Sequence, residues 1–511
     1  MGETPQTIMT KPPPEGLAAI DIGSNSIRML LVNLVGGEPV VVDRIREQVR
    51  LAEGLDSDGL LDDDAFRRAL ACLDRFGQRL RNTTGLKVRA VATNTLRVAT
   101  NAADLLREAE EVLGHRIEVI SGQEEARLIY LGIAHTLADD EGSRLVVDIG
   151  GGSTECIVGE RFEPIEAHSL YMGCVRWTQR FFADGKITEK RMRAGHLAAS
   201  RELQTLRATF RGLGWEEAVG SSGTIRSCAS ILEANEWCEE GIDRPGLQRL
   251  SDALVSAGHG KKIDLPGMRA ERRMILAGGV SILCAVFDSL GIERMAVSKG
   301  TLREGVLYDL LGRIRHEDVR ERTIRDFQDR FDIDTAQAER VEATALRFLK
   351  DVAPGWQLES SRHQRFLGWA ARLHELGLRL AYRHHHRHGA YILANADMPG
   401  FSGDDQEMLA SIVGHQRRKF GDDPFKELLR SDRRRMARRL TVLLRLALLV
   451  NRSRSAHPEV PLALSALGST LRLTVPQSWL ASRPLTRSDL EDEVAMLQAV
   501  GLKVTLVIDP D

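Results

Sequence analysis

The segment from Arg144 to Glu155 reads Arg-Leu-Val-Val-Asp-Ile-Gly-Gly-Gly-Ser-Thr-Glu, an apolar run that delivers Asp148 into three glycines, two hydroxyls and a second acid. Consecutive glycines free a backbone to turn tightly and to aim its amides at an anion. Asp148 and Glu155 add the hard oxygens that Mg²⁺ takes when one or two acids hold it together with substrate phosphates. The chemistry available here is phosphate binding with a metal, and a plain glycine turn capped by Asp148 is the alternative. A second candidate is the pair Glu124-Glu125, which opens a helix after Ser121-Gly-Gln. Acids in a first turn are favoured by the helix dipole, but a carboxylate at the mouth of a phosphate cleft can also take the proton of an attacking water.

Further anion contacts follow strand ends. Arg97, after Thr93-Asn-Thr-Leu, can grip a phosphate bidentately or stay a solvated arginine. The turn Gly220-Ser-Ser222-Gly223-Thr224 offers amides and hydroxyls at a helix N-terminus. Ser298-Lys-Gly-Thr is another small-residue turn. Placement after strands is where open α/β sheets bind ligands.

The elements that must position these groups are legible around them. Leu17 to Asn33 repeats the strand, acid (Asp21), turn (Gly23, Ser24, Asn25) and returning strand, so two similar α/β lobes are expected to face each other across a cleft. Apolar residues at helical spacing predict an amphipathic helix over Leu60–Leu80 and another over Met192–Phe210. Strands are predicted at Val88–Val91, Ile117–Ile120 and Met295–Gly300. Beyond Leu311 the chain turns helical and rich in arginine and histidine, which marks a domain boundary.

At 511 residues the chain has room for about three or four domains. A net charge of −2 means that an anionic partner must be met by a local patch. The six cysteines form no Cys-x-x-Cys pair, which fits free thiols in a reducing, cytoplasmic setting. Residues 1–16 read as a disordered tail without a signal sequence, and the apolar run Leu440–Val450 is too short to span a bilayer. Peripheral attachment to a membrane stays compatible with these features, and no nucleic-acid partner is expected.

The helical part holds His374-Glu375, then His384, His385, His386 and His388, and later His415, without the tight ligand spacing of a zinc site. From His415 to Arg454 there are thirteen Lys or Arg against four acids, including Asp422, Asp423, Lys426, Glu427 and Arg430. A run of this density can meet several phosphates of a polyanion, although a charge run is often only a solvated face. After Pro458 three short alternating stretches read as a small α+β unit.

Asp21-Ile-Gly-Ser-Asn-Ser, Ser121-Gly-Gln-Glu-Glu125-Ala-Arg-Leu-Ile, Asp148-Ile-Gly-Gly-Gly-Ser-Thr-Glu155, Met172-Gly-Cys-Val and Leu302-Arg-Glu-Gly-Val-Leu together resemble the exopolyphosphatase and guanosine pentaphosphate phosphohydrolase family. The likeness extends through Leu373-His-Glu-Leu-Gly-Leu and the stretch from His388 to Phe401. It implies an α/β fold of two actin-like (ribonuclease H-like) lobes over 17–130 and 131–311, a helical HD-like domain over 312–455 and a C-terminal α+β domain over 456–511. It also implies a homodimer and processive, Mg²⁺-dependent release of orthophosphate from inorganic polyphosphate, with a monovalent cation as an additional candidate.

By the same resemblance Glu125 is the general base and Asp148 and Glu155 are metal-associated, and the repeat adds Asp21 as a further metal candidate. It makes Arg97, Gly150, Gly151, Gly152 and Ser153 phosphate contacts, and the turns read above add Ser24, Asn25, Ser222, Gly223 and Thr224 as phosphate candidates. Arg433, Arg434, Arg435, Arg438 and Arg439 are candidates for the distal polymer. The HD pair is replaced by His374-Glu375, which favours a helical scaffold over a second active site. The family also cleaves guanosine pentaphosphate, but the triple glycine and the histidine-rich stretch place the polyphosphate branch first. A two-lobed ATP-using kinase and a sensor without turnover are the rivals.

Overall fold

The computed structural model describes residues 16–35, 38–56, 58–83, 85–137, 142–314, 319–420, 425, 428, 431–454, 461–499 and 501–510. Positions 1–15 of the expected tail, and Asp422, Asp423, Lys426, Glu427 and Arg430 of the basic run, lie outside the described residues. The chain divides into two compact units, Met1–Asp318 and Val319–Asp511.

In the first unit β1 (Gly16–Ile22), β2 (Ser26–Val35) and β3 (Glu38–Gln48) form a meander. They are followed by α1 (Asp63–Arg81), β4 (Leu86–Ala92), α2 (Asn94–Val98), α3 (Ala102–Leu113), β5 (Ile117–Val119) and α4 (Gly122–Ala134). The scheme then recurs with β6 (Ser143–Ile149), β7 (Thr154–Glu160), β8 (Glu163–Leu170), α5 (Cys174–Phe181), α6 (Glu189–Leu213), β9 (Glu217–Ser221) and α7 (Ser222–Ala234). It closes with β10 (Ile242–Asp243), α8 (Arg244–Ala257), α9 (Leu276–Leu290), β11 (Arg294–Val297) and α10 (Leu302–Ile314).

Among the described residues the first sheet runs β3-β2-β1-β4-β5 and the second β8-β7-β6-β9-β11-β10. Each central strand, β1 or β6, pairs antiparallel with the next strand and parallel with the strand after the following helices. The repeat read from Asp21 and Asp148 is therefore a duplicated topology, with both aspartates at the C-terminal ends of the central strands. All seven residues of β1 are buried, because layers cover both faces of the sheet.

The expected lobe boundary at 130/131 falls inside α4, and 311/312 falls inside α10. These helices share a core with the inner faces of both sheets, built from residues such as Leu17 and Leu30, Val146 and Ile157, Leu128 and Ile133, and Val306 and Leu310. The two helices pack backbone to backbone. A Cβ on Gly305 would lie 1.7 Å from the carbonyl oxygen of Leu128, and one on Gly132 would lie 2.3 Å from that of Thr301. Gly305→Ala should therefore destabilise the unit by about 1–3 kcal/mol through overpacking. A denaturant midpoint equal to that of the parent would refute this close approach.

The second unit contains α11 (Val319–Arg330), α12 (Thr335–Trp356), α13 (Ser361–Arg372), α14 (His385–Asn395), α15 (Gly403–Gly414) and α16 (Ser431–Val450). Then come β12 (Ala463–Leu467), β13 (Thr470–Pro476), α17 (Gln477–Ala481), α18 (Pro484–Ala499) and β14 (Lys503–Asp509). One core runs from Ile324 and Trp356 through Leu443 to Leu473 and Val504, so the helices and terminal strands expected as two domains bury a common interior. No helix among the described residues is long and apolar enough to cross a membrane. All six cysteines are free thiols.

Candidate active site

Two loops at equivalent places in the repeat meet in the first unit. In one, the amide of Gly23 donates to the carbonyl of Ser26 at 3.2 Å; in the other, the amide of Gly150 donates to that of Ser153 at 2.9 Å. None of the three glycines Gly150–Gly152 has a positive φ, so the reading that they supply turn freedom is corrected. They supply room. A Cβ on Gly152 would lie 2.4 Å from Asn94 Oδ1 and one on Gly151 would lie 3.1 Å from Ser24 Cβ, so bare backbone lets the loops approach. Thr95 Oγ1 donates to Ser24 Oγ at 2.8 Å and fixes the rim.

The cleft beside these loops is about 670 Å³ and open to solvent. It is lined by Asp21, Ser24, Asn25, Glu125, Asp148, Gly150–Ser153, Ser222 and Gly223, which brings together most of the sequence candidates. Ser222, the first residue of α7, has a φ of 87°, a left-handed conformation that costs energy for a residue other than glycine. Asn25 Nδ2, Asn94 Nδ2 and Thr224 Oγ1 are buried without a hydrogen-bond partner. Of these three, Asn25 lines the cleft, where an unpaired donor is what a phosphate oxygen would satisfy. Thr224 does not line the cleft itself, and its methyl faces Gly279 of α9. Thr93, Cys174 and Thr301, from stretches quoted in the sequence analysis, line it too, whereas Arg28 and Arg272 line it and were not anticipated.

Glu125 reaches the cleft from the first turn of α4, which Ser121 caps by accepting the amide of Glu124 at 3.1 Å. Burial pushes the Glu125 carboxyl above the usual carboxylate range; Arg97 pulls it down, and Asp21 and Asp148 add upward repulsion. Arg97 does not line the cleft. Its Nη1 donates to Glu125 Oε2 at 2.8 Å and to the carbonyl of Ile120 at 2.9 Å, so this structure places it on the candidate base where phosphate was expected. Removing it should leave a base that holds its proton longer. In Arg97→Met the acid limb of the kcat profile should move to higher pH, and a limb that stays in place would exclude this coupling.

Asp21 and Asp148 are each buried, and each carboxyl is raised by desolvation. Arg28 lowers Asp21, and a hydrogen bond from Ser221 lowers Asp148. Among the described residues no three His, Cys, Asp or Glu side chains gather as a closed ligand set. Two largely buried carboxylates that line the cleft nevertheless fit a cation that takes its remaining ligands from phosphates and water. Glu155 does not join them. It is 1% exposed, absent from the cleft lining, and its Oε1 accepts Ser169 Oγ at 2.8 Å. Register places it directly across from Asp148, and burial, Glu125 and Asp148 push its carboxyl well above the usual range.

A family model described as Ppx/GppA phosphatase family matches residues 30–314, and one described as Ppx/GppA phosphatase, domain III, matches residues 319–494. The guanosine-5′-triphosphate,3′-diphosphate pyrophosphatase of Aeromonas hydrophila is 39% identical over 490 residues, 96% of this chain and 98% of that protein. The enzyme of the same description from Vibrio cholerae is 39% identical over 489 residues, 96% of this chain and 97% of its own length. The chain belongs to the Ppx/GppA phosphatase family. It is accordingly a hydrolase of phosphoanhydride bonds. Among solved structures, an exopolyphosphatase from Cytophaga hutchinsonii has the same fold, with a TM-score of 0.53 and 24% identity over 58% of this chain and 97% of that one. The Aquifex aeolicus PPX-GPPA enzyme gives a TM-score of 0.50 and 26% identity over 58% of this chain and 99% of its own.

In this Ppx/GppA chain a second chamber of about 480 Å³ shares Arg28, Gly223 and Arg272 with the loop cleft. Arg46, Arg226, Arg269 and Arg303 complete its basic lining, with no acid among the described lining residues. Burial and the neighbouring Arg28 and Arg272 hold the Arg46 guanidinium down to about 10, and burial also lowers Arg226 and Arg303. Crowded guanidinium groups of this kind call for a polyanion.

The family's domain III region does not carry the expected arginine face intact. Arg433 is buried, donating to the carbonyl of Asp404 at 2.7 Å and to Asp405 Oδ1 at 3.3 Å. Arg439 donates to the Trp356 carbonyl and lies over that ring at 5.6 Å. Both are structural here, whereas Arg434, Arg435 and Arg438 are exposed. The Nδ1 of His374 donates to the Ala371 carbonyl at 2.7 Å, and burial holds its imidazole down to about 4. Glu375 is engaged by Arg454, which also donates to Asp334 at 2.7 Å. A guanidinium thus supplies the positive charge between those two acids.

Proposed function

We propose that the chain removes the terminal 5′ phosphate of guanosine 5′-triphosphate,3′-diphosphate, with inorganic polyphosphate as a second substrate class. The observation that carries this reading is the arginine chamber opening off the loop cleft. A phosphate group at one end of a compact substrate fits the loops while a second phosphate cluster fits six guanidinium groups. The names of the full-length relatives support the same order, which reverses the sequence-based preference for polyphosphate. Polyphosphate retains the exposed Arg434, Arg435 and Arg438 in its favour, since a long polymer gains by multivalent contact.

In the proposed reaction a water oxygen forms a bond to the terminal phosphorus while the bridging phosphoanhydride oxygen leaves with the nucleotide. Glu125 Oε1 takes the water proton, Oε2 being held by Arg97. Loop amides, Ser24, Asn25 and Ser153 orient the terminal phosphate, and the amides at the start of α7 face the next one. Mg²⁺, when bound by Asp21 and Asp148 together with substrate oxygens, supplies neutralisation of charge on the transferred group. The chain is taken to act as a homodimer in the cytoplasm. Orthophosphate release is to be compared from guanosine pentaphosphate, tripolyphosphate, long polyphosphate and ATP under Mg²⁺. A kcat/KM at least tenfold higher for guanosine pentaphosphate is the expected result. A higher value for long polyphosphate would reverse the order, and preference for ATP would sink both.

A further inference from the structure

Behind the base, a buried ion network runs through the first unit without touching the cleft. Glu124, 2% exposed, receives Arg127 as a fork: Nε donates to Oε2 at 2.7 Å and Nη2 to Oε1 at 2.9 Å. The same Nη2 donates to Asp309 Oδ1 on α10. The other oxygen of Asp309 accepts Arg89 Nη1 from β4 at 2.8 Å and Arg313 Nε at 2.6 Å. Arg89 also donates to Glu118 of β5 at 3.2 Å. Asp309 thus joins three arginines from three elements.

A buried network of this type is weak evidence for stability, since well-packed apolar side chains often serve as well. Its location gives it another use. Glu124 precedes Glu125 in the first turn of α4, the part of a helix whose amides lack internal partners. The fork on Glu124 and the Arg97 contact on Glu125 hold two sides of that turn. We propose that Asp309, acting through Arg127 and Glu124, is a positioning residue that fixes the rotation of the first turn of α4 and with it the placement of Glu125. The inference rests on Glu125 being the base. At a side-chain radius of about 6 Å a helix rotation of roughly 10° moves a carboxylate by about 1 Å. A misplacement of that size can cost about 10²-fold in rate.

Asp309→Asn keeps the shape and removes the shared anion. It should lower kcat about 10- to 100-fold with KM changed less than threefold, measured with whichever of guanosine pentaphosphate or tripolyphosphate turns over faster. Introduced into Glu125→Gln it should lower the residual rate no further, because the residue acts through the base. A folded variant with unchanged kcat, or a loss of equal size in both backgrounds, overturns the proposal. Failure of the base assignment shows separately, as near-normal turnover in Glu125→Gln alone. If circular dichroism shows that Asp309→Asn does not fold, Glu124→Gln is read by the same criteria.

Discussion

Glu125→Gln is expected to lower kcat by about 10³-fold while leaving KM within a few-fold, the loss typical of removing a general base. Glutamine keeps an oxygen for Arg97 to donate to, so the first turn of α4 stays in place. The variant should also gain stability at higher pH. The Glu125 carboxyl is raised in the folded state, so its favourable contribution is present at low pH and is lost as pH rises through the folded value. The parent carries a buried charge above that point and the variant does not. Its melting temperature should therefore exceed the parent's at pH 8, with the gap closing towards pH 4. Equal melting at both pH values would mean that the carboxylate is not strained in this site.

Replacing Arg46 and Arg269 together by glutamine should raise KM for guanosine pentaphosphate about 100-fold, if each charge-assisted contact is worth about 1.5 kcal/mol. Neither residue lines the loop cleft, so tripolyphosphate should lose less than tenfold. Steady-state kinetics on both substrates decide the matter. Equal losses would make the chamber a general electrostatic funnel for phosphate with no role in holding a second phosphate cluster.

The parts of the site that local sequence reveals are those built from adjacent residues. Asp21 and Asp148 sit at strand ends followed by small residues, and the pleat carries them to the cleft as expected. Glu125 follows a Ser121 cap that can be read three residues ahead of Glu124. Roles set by register or tertiary packing could not be read. Asp21 faces Arg28 across its hairpin, whereas Asp148 faces Glu155, so equivalent positions carry opposite charges. The pairing puts Glu155 on the same sheet face as Asp148, and only the packing shows that it stops short of the cleft lining. The chamber is harder still, since its arginines come from β2, β3, α7, the segment before α9 and α10. The one available signal was Arg28, the single charged residue of β2.

The helix pair between the lobes has a consequence for synthesis. The inner face of the first sheet, with Leu17, Leu30 and Val32, is completed in part by Leu302, Val306 and Leu310 of α10. Those residues leave the ribosome nearly three hundred positions later. At about 5–20 residues per second, the nascent first lobe waits roughly 15–60 s with that face incompletely covered. The first lobe is thus N-terminal in order but cannot be the first to finish. Chaperone occupancy on the nascent chain should fall only once α10 has emerged.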